Sequence, residues 1–373
     1  MKKILVVSRN FPPLLGGMER LNLHLVDELS HSCVVHLVAP EGARDQAPAA
    51  ISLTQVPLRP LSRFLAGAAW HTLREARRWK PDIVLAGSGL TAPIALIAAR
   101  ACGARTAAYV HGLDLTVPHP IYRALWRPTL RRLDTVIANS HATARLAEMI
   151  GIGTERTSIV HPGVSLPTLD PDARARFRQT HGLGDEPVLL SVGRLTARKG
   201  LQEFVTEVLP QVATRYPDVR LIVIGEPATQ ALFGAQQSPQ SILAAARAAG
   251  VGERLRFLGR VSDTELADAY AGADLYVFPV RHFPYDPEGF GMVAVEAAAH
   301  GLATVAYATG GVVDAVSAGQ NGSLAPAGDA TEFSRHVIAL LEHGLPPAQI
   351  RGFAEQFAWP QFGKKILAAL EIQ

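Results

Sequence analysis

Lys3-Ile4-Leu5-Val6-Val7-Ser8 opens the chain as an unbroken β-forming run, and Val188-Leu189-Leu190-Ser191-Val192 restarts the same pattern halfway along. A strand wetted on one face alternates apolar and polar residues. A run that is apolar at successive positions is buried on both faces, as in a parallel sheet covered by helices. Outward from the first run, short apolar runs recur at 34–39, 83–86, 106–110, 135–138 and 158–160, separated by helix-length segments. Outward from the second they recur at 221–224, 255–258, 275–278 and 304–306. This alternation predicts βαβ units and parallel sheets, hence an α/β protein made of two Rossmann-like, doubly wound domains. The length of 373 residues agrees, since single cores stop growing well before it. The polar stretch 166–186, with Pro167, Pro171 and Gly182, reads as a linker carrying a short helix. The expected division is a domain over 1–166, a linker over 167–186, a second domain over 187–355, and a closing segment over 356–373. In that segment Trp359-Pro360 precedes an amphipathic stretch that either completes the second domain or returns to the first.

Composition narrows the class. With 48% hydrophobic and 18% charged residues the chain is too apolar for disorder, and 32 Gly and 26 Pro exclude a collagen-like architecture. Cys33 and Cys102 stand apart with no CxxC or Cys/His cluster, which argues against a disulfide framework or a zinc site and for a reducing cytoplasm. The apolar start is shorter than a signal h-region, so secretion is not expected. The longest uncharged stretch, 83–99, is interrupted by Gly87, Ser88, Gly89, Thr91 and Pro93 and reads as strand, turn and helix rather than a membrane span. The net charge of +3 conceals a split: residues 1–165 hold 19 Lys and Arg against 11 Asp and Glu, and residues 166–373 hold 17 against 22. Much of the excess lies in Arg74, Arg77, Arg78 and Lys80 and in Arg123, Arg127, Arg131 and Arg132, the latter interleaved with Ile121, Tyr122, Leu125, Trp126 and Leu130. That mixture suits an anionic membrane surface or an acidic acceptor; a solvated helix face is the plainer alternative. The absence of a nucleic-acid module argues against that partner.

In doubly wound sheets ligands sit outside the carboxyl ends of the strands, so the loops after the apolar runs carry the chemistry. After the first run, Gly16-Gly17 open a helix where backbone amides can approach a phosphate. There is no GxGxxG and no P-loop, which removes the main support for a dehydrogenase or a P-loop NTPase. At the matching place in the second half lies Gly193-Arg194-Leu195-Thr196-Ala197-Arg198-Lys199-Gly200, where Arg194 and Lys199 can neutralise a diphosphate or simply form a basic turn. Further on comes Pro287-Glu288-Gly289-Phe290-Gly291-Met292-Val293-Ala294-Val295-Glu296-Ala297. Here Glu288 falls in a loop and Glu296 on an apolar helix face. A carboxylate so placed needs a partner, either the hydroxyls of a ribose or sugar or a buried arginine. His111 follows the strand ending at Val110, with Asp114 placed to orient it or to cap a turn.

The spacing Glu288-x7-Glu296, with Arg194, Lys199 and the Gly16-Gly17 loop, resembles the retaining glycosyltransferases of family 4, which have the GT-B fold. The resemblance spans nearly the whole chain, including His111-Gly112-Leu113-Asp114, Asn139-Ser140, His161-Pro162-Gly163-Val164 and Gly310-Gly311. It implies two facing domains with a cleft between them. It also implies transfer of a hexose from a GDP- or UDP-linked donor to a glycan or lipid-linked acceptor in bacterial cell-surface polysaccharide synthesis, with the anomeric configuration retained. Arg194 and Lys199 would hold the donor diphosphate, Glu296 the ribose, and Glu288 the donor sugar. Amides of Phe290, Gly291 and Met292 would meet the phosphates or sugar, Gly16 and Gly17 would approach from the first domain, and His111 would stand near donor sugar and acceptor. Cations and helix-terminal amides suffice to stabilise a leaving diphosphate, so no metal or other cofactor is expected. Asp170-Pro171-Asp172 matches the DxD of metal-dependent glycosyltransferases but reads as a turn beside a proline. Two features depart from the family: Gly225-Glu226-Pro227 lacks a second glycine common in relatives, and His282-Phe283-Pro284-Tyr285-Asp286 is distinctive. The competing readings are a nucleotide-sugar epimerase of the same fold and a non-catalytic two-domain sugar-binding protein. The expected location is the cytoplasm, peripheral at the inner face of the membrane if the basic segment binds lipid.

Overall fold

A computed structural model describes residues 1–227 and 237–372 and divides into two compact units, Met1–Gly163 with Trp359–Gln373, and Val164–Ala358. In the first unit the apolar runs become β1 (Lys3–Val7), β2 (Val34–Pro40), β4 (Ile83–Ala86), β5 (Arg105–Val110), β6 (Thr135–Ala138) and β7 (Thr157–Ile159), joined by β3 (Ser52–Val56). All pair in parallel in the order β3-β2-β1-β4-β5-β6-β7. Ile4 to Val7 are fully buried, as an apolar run between two helical layers requires. The second unit repeats the plan with β8 (Val188–Val192), β9 (Arg220–Ile224), β10 (Leu255–Gly259), β11 (Leu275–Phe278), β12 (Thr304–Tyr307) and β13 (Gly322–Ala325). Their order is β10-β9-β8-β11-β12-β13, again all parallel. In each sheet the order reverses beside its first strand, between β1 and β4 and between β8 and β11. These are the switch points at which crevices open beyond the carboxyl ends.

The strands β3 and β13 were not expected. Both are edge strands, and Ser52-Leu53-Thr54-Gln55-Val56 and Gly322-Ser323-Leu324-Ala325 are only partly buried, so neither carries a continuous apolar run. Residues 167–186, expected as a linker, belong instead to the second unit. The helix Ala173–Thr180 seats Phe177 against Gly272, where an added Cβ would fall 2.3 Å from the ring. Arg178 bonds the Gly272 carbonyl at 3.0 Å and Asp274 at 2.7 Å. The chain therefore leaves the first unit at Gly163, which is pressed so closely on Trp359 that a Cβ would meet its ring at 2.1 Å.

The closing helix Trp359–Ala369 packs in the first unit on the helix Gly17–Ser30. His24 stacks on Trp359 with ring centroids 3.9 Å apart, and Phe362, Ile366 and Leu370 are buried. The helix Pro120–Leu130 turns two of its aromatics inward: Tyr122 donates to the Asp114 carbonyl and Trp126 to the Leu90 carbonyl, each at 2.9 Å. Ile121 and Leu125 are left outward, as is Trp70 on the basic helix Leu61–Trp79. Among the described residues no helix is long and apolar enough to cross a membrane.

Candidate active site

The carboxyl end of β8 runs through Gly193 into the 3-10 turn Ala197–Lys199, and close backbone approach explains its glycines. Gly225, at φ 141°, passes so near Gly193 that a Cβ would lie 1.9 Å from the Gly193 oxygen; Gly200, at φ 68°, would clash with the Pro279 carbonyl at 2.0 Å. This tight wrapping directs Lys199 inward. Its Nζ donates to Glu288 Oε2 at 2.7 Å and lies 4.7 Å from the centre of the Phe278 ring. Arg198 bonds the same carboxylate oxygen and pairs through Nε with Asp286 at 3.2 Å. The three side chains are only 11% (Arg198), 19% (Lys199) and 12% (Glu288) exposed.

Low exposure makes the charges interact strongly. Burial alone would raise the Glu288 carboxyl, but Arg198 and Lys199 outweigh it and hold the group down at about 2. Burial lowers Lys199 to about 8, with Glu288 opposing and Arg198 and Arg194 adding to the fall. Glu288 is thus a fixed anion, and Lys199 a cation close to losing its proton.

The loop 287–291 is held from beneath by Gly310-Gly311. The Gly311 amide donates to the Glu288 carbonyl at 2.9 Å, and a Cβ on Gly311 would lie 2.0 Å from the Gly289 oxygen. Gly291, at φ 101°, then starts the helix Met292–Ala299. The amides of Met292 and Val293 have no acceptor within the helix, which leaves donors pointing from its positive end. Phe290 is buried. Glu296 sits one face along, its Oε2 accepting from the Tyr270 hydroxyl at 3.4 Å. Tyr270 in turn stacks on His300 at 4.8 Å, and burial and Arg351 bring that imidazole down to about 4.

In the first unit, His111 caps the carboxyl end of β5 and is 7% exposed. Asn139 lies 3.2 Å from its Nδ1, and its Nε2 is buried without a hydrogen bond of ordinary geometry. Burial lowers its pKa, Asp114, Glu19 and the Gly87 backbone opposing, so the ring is neutral. Asp114 accepts from the His111 backbone amide at 3.0 Å, which makes it a cap rather than a partner of the ring. Gly16 precedes the helix Gly17–Ser30, and a Cβ there would lie 2.5 Å from Glu19 Oε2, so the chain's own carboxylate already leans on this helix start.

The structure thus gathers Lys199 and Glu288, places Glu296 and the amides of Gly291 and Met292 on the adjoining helix, and leaves Arg194 exposed at the rim of a small cavity that Lys199 and Phe278 also line. A wider concavity between Asp185–Pro187 and Tyr216–Arg220 lies at the amino ends of β8 and β9 and holds none of these groups. Sequence reasoning missed Arg198, although it stands beside Lys199 and its partner Asp286 lies in the loop already marked as distinctive. It also missed Tyr270, which no local pattern signals. In the Asp170-Pro171-Asp172 turn, Asp170 accepts from the Asp172 amide at 2.9 Å and from Arg176 at 2.8 Å. Gly225-Glu226-Pro227 bonds back to Leu195 through the Glu226 carbonyl, and the residues just beyond lie outside the described ones.

Comparison with known proteins gives the family and the fold. Residues 15–167 match the family described as Glycosyltransferase Family 4, and residues 173–357 match Glycosyl transferases group 1. A GDP-mannose-dependent alpha-(1-6)-phosphatidylinositol monomannoside mannosyltransferase of Mycolicibacterium smegmatis is 31% identical over 91% of this chain and 89% of its own. A D-inositol 3-phosphate glycosyltransferase of a Mycobacterium species is 34% identical over 65% of this chain and 52% of its own. Anabaena Alr3699/HepE, solved in complex with UDP and glucose, superposes with a TM-score of 0.81 at 23% identity over 100% of both chains. The fold is GT-B, and the chain belongs to the family 4 glycosyltransferases. It is a glycosyltransferase.

Proposed function

We propose that this glycosyltransferase moves a hexose, with retention of configuration and without a metal, from a GDP- or UDP-linked sugar to a glycan or lipid-linked acceptor in cell-surface polysaccharide synthesis. The observation that carries the reading is the Glu288 carboxylate locked between Lys199 and Arg198 immediately before a helix start with open amides. Breaking the sugar–phosphate bond leaves negative charge on a diphosphate. Fixed cations and helix-terminal amides stabilise that charge without reorganising. Lys199 and Arg194 are the cations assigned to the diphosphate, Glu296 the carboxylate assigned to the ribose, and Glu288 the one that receives sugar hydroxyls. With Oε2 held by two cations, Glu288 keeps Oε1 for such a contact. His111, neutral and buried at the carboxyl end of β5, is assigned to the sugar and acceptor side.

The Mycolicibacterium relative names GDP-mannose, which makes it the first donor to test. The proposal places the enzyme in the cytoplasm at the inner membrane face, held by the outward Ile121 and Leu125 among arginines. The test is thermal stabilisation by GDP, UDP, ADP and their sugar conjugates, followed by transfer assays on Arg194→Ala and Lys199→Ala. One selective nucleotide and loss of transfer in both folded variants are expected. Full activity in both variants would remove the diphosphate assignment, and nucleotide release with an epimerised sugar but no acceptor would favour the epimerase.

A further inference from the structure

The segment Arg281-His282-Phe283-Pro284-Tyr285-Asp286, between β11 and Glu288, lies in no helix or strand, yet both of its ends are fastened to the 3-10 turn Ala197–Lys199. At its start the Arg281 amide donates to the Arg198 carbonyl at 2.8 Å, and the Arg281 guanidinium pairs with Glu203. Gly200 presses on the same place, since a Cβ there would meet the Pro279 carbonyl at 2.0 Å and the Arg281 side chain at 3.0 Å. At its end Asp286 Oδ1 lies 3.2 Å from Arg198 Nε. Between these ends Tyr285 turns outward, 64% exposed. The segment is therefore held by Arg198 rather than by a core of its own.

Arg198 also reaches past Asp286 to Glu288. Its Nε faces the first carboxylate and its Nη1 bonds Oε2 of the second, the same oxygen that Lys199 contacts at 2.7 Å. A guanidinium is a planar fork, so partners on two of its nitrogens fix its plane, where a single partner leaves it free to turn. Lys199 offers no such constancy. The reading above assigns it to the donor diphosphate, which carries more negative charge than one carboxylate and competes with Glu288 for the ammonium. Glu288 is then left to Arg198, which the same incoming charge attracts. The Asp286 carboxylate opposes that pull, because it ties Nε to the segment that leads into Glu288.

We propose that Asp286 is a positioning residue: it keeps Arg198 on Glu288 when a donor diphosphate engages Lys199, so that Glu288 holds one orientation toward the hydroxyls of the donor sugar. The inference rests on the donor reading and concerns sugar discrimination within it.

The test is calorimetric binding of GDP with GDP-mannose and GDP-glucose, and of UDP with UDP-glucose and UDP-galactose, each pair of sugars differing at one ring hydroxyl. The natural chain, Asp286→Asn, Asp286→Glu, Arg198→Lys and the double variant Asp286→Asn with Arg198→Lys are compared. The natural chain should prefer one epimer of one pair by roughly tenfold or more, the worth of a hydrogen bond to a charged group. Asp286→Asn should remove most of that preference while the affinity for the bare nucleotide stays unchanged, and Asp286→Glu, which keeps the charge, should restore part of it. Arg198→Lys, whose point charge cannot span two carboxylates, should lose it as well. The double variant should lose no more than either single change, as residues acting along one route do. A preference that survives Asp286→Asn, one that falls only together with bare-nucleotide affinity, or additive losses in the double variant would each overturn the proposal, as would a natural chain that binds both epimers of each pair equally. A natural chain that binds none of the six compounds would strike the donor reading itself, and the proposal with it.

Discussion

At the scale of single residues, Lys199 and Glu288 form the centre of the proposed donor site, and their titration gives it a pH signature. Lys199 is a base whose folded pKa, about 8, lies below its ordinary 10.5. Below 8 both folded and unfolded chains hold the proton and the cost of burying the charge is felt in full. Between 8 and 10.5 the unfolded chain binds more protons, so this group adds stability as pH rises. Nucleotide affinity should move the other way, falling as pH climbs through about 8 and the cation is lost. Calorimetric titration of GDP on either side of that pH checks it, and Lys199→Arg, which keeps its charge, should flatten the fall. Glu288 is the acid counterpart: held at about 2 against an ordinary 4.5, it contributes stability above 4.5 that is lost as pH drops toward 2. Glu288→Gln leaves Lys199 buried without its counter-charge and Arg198 with Asp286 alone. It should lower unfolding free energy by about 3 kcal/mol in urea titrations, besides removing transfer. The family-like spacing singled out Lys199, Glu288 and Glu296, and the structure brings the first two into contact. Arg198 was not singled out, because its role is set by Asp286 and Glu288, which are distant in sequence and meet it only through the β8 and β11 loops.

At the scale of elements, backbone crowding sets the site. Gly311→Ala places a methyl group about 2.0 Å from the Gly289 carbonyl, so the loop carrying Glu288 must shift. We expect transfer to fall at least tenfold, with a stability loss of about 2 kcal/mol. An intact circular dichroism spectrum with unchanged turnover would contradict the account. The helix Pro120–Leu130 makes a different prediction. Tyr122 and Trp126 anchor it inward, so the proposed membrane contact would fall to Ile121, Leu125 and the exposed Arg123. Ile121→Ser with Leu125→Ser should weaken sedimentation with anionic liposomes without disturbing unfolding, and Arg123→Glu should remove its salt dependence. Equal binding to neutral and anionic vesicles would leave this surface without a role. The interior strands were readable because burial on both faces writes a continuous apolar run. At the edges β3 and β13 need no such run, and the short helix expected in the linker, Ala173–Thr180, was not assigned to the second unit because one buried Phe177 and arginine bonds hold it there, not an apolar stripe.

At the scale of the whole molecule, the chain builds its first unit from both ends. Residues 1–163 make the sheet, and the helix Trp359–Ala369 supplies part of its covering. The sequence left open which domain this segment served, since an amphipathic helix does not say which surface it covers. The contacts are specific: Phe362 is 1% exposed, edge-on to Tyr109 at 6.3 Å and to Trp359 at 5.4 Å. Phe362→Ala should therefore cost the first unit about 3–4 kcal/mol through lost burial and a residual cavity. Lys199, Glu288 and Glu296, which the proposal assigns to the donor, all lie in the second unit. A nucleotide bound there stabilises only the folding reaction to which it is linked. Calorimetric scans of Phe362→Ala should then split into two transitions, the lower one insensitive to GDP and the upper one rising with its concentration. A single transition that GDP raises as a whole would mean that the units unfold together, and the closing helix would then report on the stability of the entire chain.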